Sequence, residues 1–382
     1  MRAVTYTRPG DPSVLELLER PTPEPGAGEI RIRLLVSGVN PTDWKSRSGA
    51  TGGEVAELTV PNHDGAGVVD ELGAGVDRFS VGDRVWVTLA GAVCPGSGTA
   101  QEYTVVPVDR AFALPATADF ELGASIGIPA VTAHRALTVA EDGPTRLQPG
   151  ALGNRSVLVA GGAGAVGNAA IQLARWAGAR VIATVSGDAK ARLAKAAGAR
   201  RVVNYKDPDA AEQIRRVAPD GVDLIVEVAA GTNAELDQAV LRPRGTISIY
   251  ANDGGAAFSL DVRRSMGLNA RYQFVLLYTV GWDRIAAAAA DINQAIEDGA
   301  LQVGERAGLP LHRFALEDTA AAHSAVENGA AGKVLIAVAR RCPRASSNVP
   351  PGLAEPLSSA AGGPAIACGS RSPYRIKEVQ RW

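Results

Sequence analysis

Residues 157–186 read VLVAGGAGAVGNAAIQLARWAGARVIATVS. A continuous apolar run at 157–160 breaks into a cluster of glycines. NAAIQLARWAG then places apolar residues at helical spacing, and VIATVS returns to strand character. Strand, glycine turn, helix and strand make one βαβ unit. Within it, Gly161, Gly162, Ala163, Gly164, Ala165, Val166 and Gly167 contain GxGxxG at 162, 164 and 167, and GxxGxxG at 161, 164 and 167. In a chain with 43 glycines either spacing is weak alone, and its place between a strand and a helix is what gives it meaning. Glycines permit a tight turn and close backbone approach. The helix start offers unpaired N–H groups and about half a positive charge to a pyrophosphate.

A dinucleotide's identity is read at the end of the next strand, where an acidic residue would bond the ribose 2′-hydroxyl of NAD. Here the sequence is Thr184-Val185-Ser186-Gly187-Asp188-Ala189-Lys190. Ser186 offers a hydroxyl and Lys190 a cation, both suited to a 2′-phosphate, so NADPH is the expected cofactor. Asp188 is the dissenting residue, since its charge would repel that phosphate if it pointed inward.

Outward from this unit the alternation continues, with strand-like stretches at 156–161, 181–186, 223–228 and 246–250 separated by amphipathic helices. This pattern predicts a parallel sheet covered on both faces. The first ~125 residues instead read as all-β: Ile30, Ile32, Leu34 and Val36 alternate with polar or small neighbours, and AGVVDELG, DRVWVTL and AQEYTVVPV repeat the pattern between turns. After 266 come two helical stretches, DRIAAAAADINQAIEDG and EDTAAAHSAVENG, and a closing strand, KVLIAV. From Arg340 to Trp382 the chain carries six prolines, seven Lys/Arg and two Glu with no sustained period, the composition of a disordered tail. The rest carries a net charge near −6.

The whole chain of 382 residues is 46% hydrophobic and 21% charged, with a net charge of −1. No broad basic surface is implied, so nucleic acid is not an expected partner. The longest apolar stretches are short and glycine-broken, well under the ~20 residues that span a bilayer, and MRAVTYTRPG lacks the arrangement of a secretory signal. A cytoplasmic protein without a membrane partner is expected. Cys94, Cys342 and Cys368 form no CxxC and read as free thiols.

In order and spacing, SGVNPTDWKSRSG (37–49), VPNHDGAGVVDELGAGVDRFSVGDRV (60–85), PAVTAHRAL (129–137), residues 157–186, AGARRVVNY (197–205) and AAGKVLIAV (330–338) resemble the medium-chain dehydrogenase/reductase superfamily. More narrowly, they resemble its zeta-crystallin-like NADPH:quinone oxidoreductases. The resemblance spans residues 1–338. It implies an α/β protein with a GroES-like β-barrel substrate lobe (1–125), a doubly wound Rossmann domain (126–265), a return segment completing the first lobe (266–338) and an added tail (339–382).

Carried over by residue, Asn40 would sit near the nicotinamide with Asp43 one helical turn on, and Thr132 near the carboxamide. Ala163 to Val166 would form the pyrophosphate loop, and Lys190 and Tyr205 would meet the 2′-phosphate. Tyr250, Ala251, Asn252 and Asp253, with Phe274, Val275 and Leu276, would enclose the nicotinamide half. The sequence departs from many relatives in the substrate loop, where Lys45 and Thr51 stand in place of tyrosines and Trp44 is left to wall an aromatic site.

Asn62-His63-Asp64-Gly65-Ala66-Gly67 resembles the GHExxG of the zinc alcohol dehydrogenases, with His63 a possible ligand. Catalytic zinc needs about three protein ligands, yet Asn40 occupies the usual first cysteine position and Cys94 completes no site. No metal is expected, and His63 reads as a buried residue beside the cleft. His134, His312 and His323 are expected to serve local structure.

The expected reaction is therefore hydride transfer from NADPH to a quinone, with the protein orienting the reactants. Two alternatives stand beside it: reduction of the C=C bond of α,β-unsaturated ketones or aldehydes, with Lys45 or water as proton donor, and a crystallin-like NADPH-binding protein with little turnover. The family commonly forms homodimers through the Rossmann sheet edge, and the resemblance implies the same here.

Overall fold

The computed structural model describes residues 1–52, 55–56 and 58–338. The expected tail lies outside these residues. Six strands form a wholly parallel sheet in the spatial order Arg201–Asn204, Arg180–Val185, Ser156–Ala160, Val222–Glu227, Leu241–Ile249, Arg271–Phe274. Its inner strands bury both faces, and alternation along each divides the apolar residues between two cores. Val157, Val159, Val181, Ala183, Val185, Leu224 and Val226 join one core, which the helices Phe120–Leu137, Ala165–Trp176 and Trp282–Glu297 cover. Leu158, Ile182, Ile225, Ile247 and Ile249 point the other way into the second.

The order of the strands reverses between Ser156–Ala160 and Val222–Glu227. At such a switch point the connections leave in opposite directions and open a crevice at the carboxyl ends of the strands. The glycine loop at 161–167 begins at this crevice.

The first lobe is a seven-stranded mixed sheet built around the long strand Glu29–Val39, which pairs antiparallel with Asp64–Leu72, Tyr103–Pro107 and Lys333–Ala337. Ile30, Ile32 and Leu34 fill its core together with Val85, Val87, Val334 and Ile336. The lobes meet along the helix Phe120–Leu137. Gly127 of that helix packs against Asp64, and a Cβ there would lie 2.2 Å from the Asp64 Oδ1. The next residue but one is Pro129, which has no N–H. Asp64 is drawn into this turn, where the Ile128 N–H donates to both carboxylate oxygens at 2.9 Å.

The divisions expected at 125/126 and 265/266 do not match this architecture. The helix Phe120–Leu137 runs through the first. Past the second, Arg271–Phe274 still extends the parallel sheet, and Ile285, Ala288, Ile292 and Ile296 of the helix Trp282–Glu297 lie in its core. The chain re-enters the first lobe only with Leu311–Ala315, which pairs with Lys333–Ala337. The edge strand RYQF is short, and none of its side chains is fully buried, so it carries no periodic signal. No described helix is long and apolar enough to cross a membrane.

Candidate active site

Asn40 ends the strand Glu29–Val39 and opens the helix Pro41–Ser48, whose first position is a proline with its φ already set for a helix. The Asn40 N–H donates to Asp43 Oδ2 at 2.6 Å, so the carboxyl closes the first turn. The Asn40 side chain is buried and doubly used. Its Nδ2 donates to Asp64 Oδ2 at 2.8 Å, and its Oδ1 accepts from Lys333 Nζ at 2.6 Å. Lys333 Nζ also lies 3.7 Å from Asp64 Oδ2, and Thr88 Oγ1 donates to Asp64 Oδ1 at 3.2 Å.

Asp64 is fully buried and Lys333 is 2% exposed. Burial pushes the carboxyl up and the ammonium down, and each charge opposes the shift of the other. Asp43 is pushed up to about 8, chiefly by burial and further by the Asp64 charge, against its bond from Asn40 and the charge of Lys333. Thr132 lies one turn beyond Ile128 on the same helix, 6% exposed.

His63 precedes Asp64 and is also buried, which lowers its pKa to about 4 and keeps the ring neutral at pH 7. Its Nε2 lies 3.1 Å from the hydroxyl of Tyr278 and 3.9 Å from Asp43 Oδ1, and the two rings meet edge to face. The Tyr278 hydroxyl in turn sits 2.8 Å from Thr42 Oγ1. Tyr278 comes from the short helical turn Leu277–Thr279 that follows the last strand of the parallel sheet, so this contact joins the two lobes.

On the dinucleotide side, Gly161 adopts φ +67°, which favours glycine, and a Cβ on Gly167 would meet the Gly161 carbonyl oxygen at 2.3 Å. At Gly164 a Cβ would touch nothing nearer than that oxygen at 3.5 Å. Gly161 and Gly167 thus shape the turn, while Gly164 faces open space at the start of the helix Ala165–Trp176, where Ala165, Val166 and Gly167 present N–H groups. Ser186 and Tyr205 follow the paired residues Val185 and Asn204 of neighbouring strands, and Tyr205 N donates to Val185 O at 3.1 Å. Lys190 is exposed in the first turn of the helix Asp188–Ala196. The three are gathered at one end of the sheet. Pyrophosphate donors and a hydroxyl–ammonium–phenol group beyond them fit a phosphorylated dinucleotide.

Tyr250 to Asp253 lie beside the switch point. Tyr250 N donates to Glu227 O at 3.0 Å and Asp253 N to Val228 O at 3.2 Å. The Tyr250 hydroxyl is pushed up by burial and then by the charges of Glu227 and Asp253. Val275 turns into the protein, whereas Phe274 and Leu276 are 63% and 55% exposed. Lys45, expected as a proton donor, pairs with Asp253 at 3.3 Å across the lobes, its Nζ 5.9 Å from the centre of the Trp44 ring. Thr51 is exposed in the turn after that helix.

His134 bonds Asp291, His323 bonds Asn62 and His312 bonds the Ala331 carbonyl, the first two joining elements far apart in the chain. Cys94 Sγ is 2.7 Å from Ser97 Oγ. Among the described residues no three His, Cys, Asp or Glu side chains are grouped to hold a metal ion.

Lys333, Tyr278 and Thr42 are the site residues that the sequence reading missed. Lys333 opens a buried strand directly after Gly332, and a cation at the head of GKVLIAV was a readable anomaly. Tyr278 stands two residues beyond the stretch 274–276, and only the fold brings it to His63.

The dinucleotide crevice, the GroES-like lobe closing over it and the buried Asn40–Asp64–Lys333 cluster between them define a two-lobed dehydrogenase or reductase. Two families match: the zinc-binding dehydrogenase family over residues 165–294 and the alcohol dehydrogenase GroES-like domain over residues 26–116. Quinone oxidoreductases from Lama guanicoe and Rattus norvegicus are each 30% identical over 338 residues, covering 88% of this chain and 97% of theirs. A mycobacterial protein solved in complex with NADPH is 29% identical, with a TM-score of 0.74 over 88% of this chain and 99% of its own. The chain belongs to the medium-chain dehydrogenase/reductase superfamily, in its zeta-crystallin-like branch.

Proposed function

We propose that this protein transfers a hydride from NADPH to a quinone without a metal ion. What supports this reading is the switch-point crevice of the parallel sheet, with Ser186, Lys190 and Tyr205 placed at the ends of its strands, and the Tyr278 contacts to His63 and Thr42 that join the two lobes. The Gly164–Gly167 turn would hold the pyrophosphate, and Tyr250 to Asp253 with Phe274 and Leu276 would flank the nicotinamide half. The dinucleotide supplies the hydride when bound.

The chain's own residues fix geometry and polarity. Asp64 locks Asn40 and the Ile128 turn together, so Thr132 is held relative to Asn40 within one rigid cluster. Lys333 already places a cation against the Asn40 amide, which supports a metal-free reading of a position that would otherwise attract one. The acceptor oxygen gains charge during the transfer, and a quinone oxygen takes its protons from a nearby hydroxyl or from water.

The 2′-phosphate reading makes a direct prediction. Lys190→Ala should raise the KM for NADPH about tenfold or more while leaving that for NADH within about twofold, since one charge-assisted phosphate contact contributes ~1.5–3 kcal/mol. Steady-state kinetics with the two cofactors read this out. The assay for the reaction itself compares a simple quinone with a conjugated enone. Turnover of the enone alone would move the assignment to alkene reduction. Tight NADPH binding with no turnover would leave a binding protein of the crystallin kind.

We also propose a homodimer through the free edge of the parallel sheet. Among the described residues, five of the seven large apolar side chains that stand exposed, Leu260, Val262, Met266, Phe274 and Leu276, lie in that edge strand or in the segments that flank it in the chain. An unpaired edge flanked by apolar residues suits pairing with a second copy. Light scattering on the purified protein should return twice the chain mass, and Met266→Lys together with Phe274→Lys should shift it toward the monomer.

A further inference from the structure

We propose that the Tyr278 hydroxyl is the group that binds the acceptor's oxygen and protonates it, an assignment that rests on the quinone-reductase reading and completes it. Its position comes from three side chains on separate elements: His63 before the strand Asp64–Leu72, Thr42 on the helix Pro41–Ser48, and Tyr278 itself beyond the parallel sheet. The Tyr278 oxygen lies 3.1 Å from His63 Nε2 and 2.8 Å from Thr42 Oγ1, and both Tyr278 and Thr42 are half-buried where the two lobes meet.

The direction of the bonds follows from counting donors. A neutral imidazole has one N–H. His63 Nδ1 is buried with no bonding partner, whereas Nε2 faces the Tyr278 oxygen. A buried N–H goes where it can be bonded, so the proton sits on Nε2 and His63 donates to Tyr278. The depressed pKa of His63 keeps it in this neutral form at pH 7. Tyr278 therefore does not spend its own O–H on His63, and Thr42 Oγ1 at 2.8 Å is one group placed to share it at rest. An entering carbonyl oxygen captures it by rotation of two hydroxyls, after which Thr42 donates to Tyr278 as well.

The chemistry balances. A hydride leaves the reduced dinucleotide with its electron pair and adds to the acceptor, whose oxygen becomes anionic. The Tyr278 O–H bond breaks and the proton forms the hydroxyl of the reduced product. The tyrosinate left behind is held by two donors, His63 Nε2–H and Thr42 Oγ1–H, in the manner of an oxyanion hole. It regains its proton from water in the cleft. General acid catalysis of this kind contributes about 10²–10⁴ in rate.

The test uses the full chain and four readouts: quinone turnover, NADPH binding by fluorescence, thermal midpoint, and the visible spectrum of 4-nitrophenol bound to the protein with NADP⁺, which reports the environment of a phenolic oxygen. Tyr278→Phe should lower kcat for the quinone about 100-fold with NADPH binding unchanged and the thermal midpoint lowered by a few degrees, since the buried His63 N–H loses its acceptor, and should abolish the spectral shift of bound 4-nitrophenol. Thr42→Val removes one of the two donors to the tyrosinate, should lower kcat about tenfold, and carries the test if Tyr278→Phe fails to fold. A Tyr278→Phe protein with kcat within twofold of wild type and an unchanged nitrophenol spectrum would overturn the assignment and leave the quinone-reductase reading standing. If the wild type itself reduces no quinone, that reading falls, and the nitrophenol spectra alone decide the role of Tyr278: a shift lost in the variant sustains it, and an equal shift ends it.

Discussion

Replacing Lys333 by Met should destabilise the protein by about 3–5 kcal/mol at pH 8, the usual cost of leaving one member of a buried ion pair alone. Lys333 Nζ is 2.6 Å from Asn40 Oδ1 and 3.7 Å from Asp64 Oδ2, and neither charged side chain reaches solvent to any useful extent. Methionine fills similar volume, so the loss isolates the charge. The sign with pH follows from Asp64. Its folded pKa already stands above its unfolded value because of burial, and loss of the lysine raises it further. Folding then binds a proton, and the variant's deficit relative to wild type grows as pH rises above the raised folded pKa that Asp64 has in the wild type and shrinks again below it. Chemical denaturation at pH 5 and pH 8 measures this. Asp64→Asn in the Lys333→Met background should recover most of the loss, because the uncompensated charge is gone. A single Lys333→Met variant as stable as wild type at pH 8 would show that Asp64 is neutral in the native protein.

Asp291→Ala should cost about 3 kcal/mol and loosen the side of the dinucleotide lobe that faces the first lobe. Asp291 lies on the helix Trp282–Glu297, 5% exposed, and accepts from His134 Nε2 at 2.8 Å, from Arg146 Nε at 2.9 Å and from Leu147 N at 2.7 Å. It ties together that helix, the helix Phe120–Leu137 and the loop before Ser156–Ala160. Removing it strands the buried His134 and the Leu147 N–H, while the Arg146 side chain, 54% exposed, turns to water. Burial raises the Asp291 carboxyl, but the bonds from His134, Arg146 and Leu147 outweigh it and hold the group below the usual range. Its contribution is thus complete above pH 4 and is lost as pH falls through the depressed pKa. The difference in denaturation midpoint between wild type and variant should narrow in acid.

What the sequence disclosed and what it concealed divide along a physical line. The glycine turn at 161–167 was readable because its requirements are local: a positive φ at Gly161 and a helix backed against the strand at Gly167 act over a few residues. The buried strands were readable because both their faces are apolar. Asn40 and Asp43 belong to one helical turn, so their bond is set by spacing alone. Lys333 stood out only as a cation at the head of an apolar strand, and its partner Asn40 is 293 positions away. Tyr278 is 215 residues from His63 and 236 from Thr42, so no spacing rule could join them. The division between lobes was misplaced because Arg271–Phe274 is a half-exposed edge strand whose sheet membership is set by pairing with Leu241–Ile249, not by its own pattern.

The central claim is tested most directly by following NADPH oxidation at 340 nm with the purified protein, treated with chelator, in the presence of a simple quinone and with NADH run in parallel. Quinone-dependent turnover at about 1 s⁻¹ or faster, insensitive to the chelator and preferring NADPH by an order of magnitude or more, is the predicted result. Turnover that vanishes with chelator, or that runs equally on NADH, would contradict the metal-free, phosphate-reading site built around Asn40, Lys333 and Lys190.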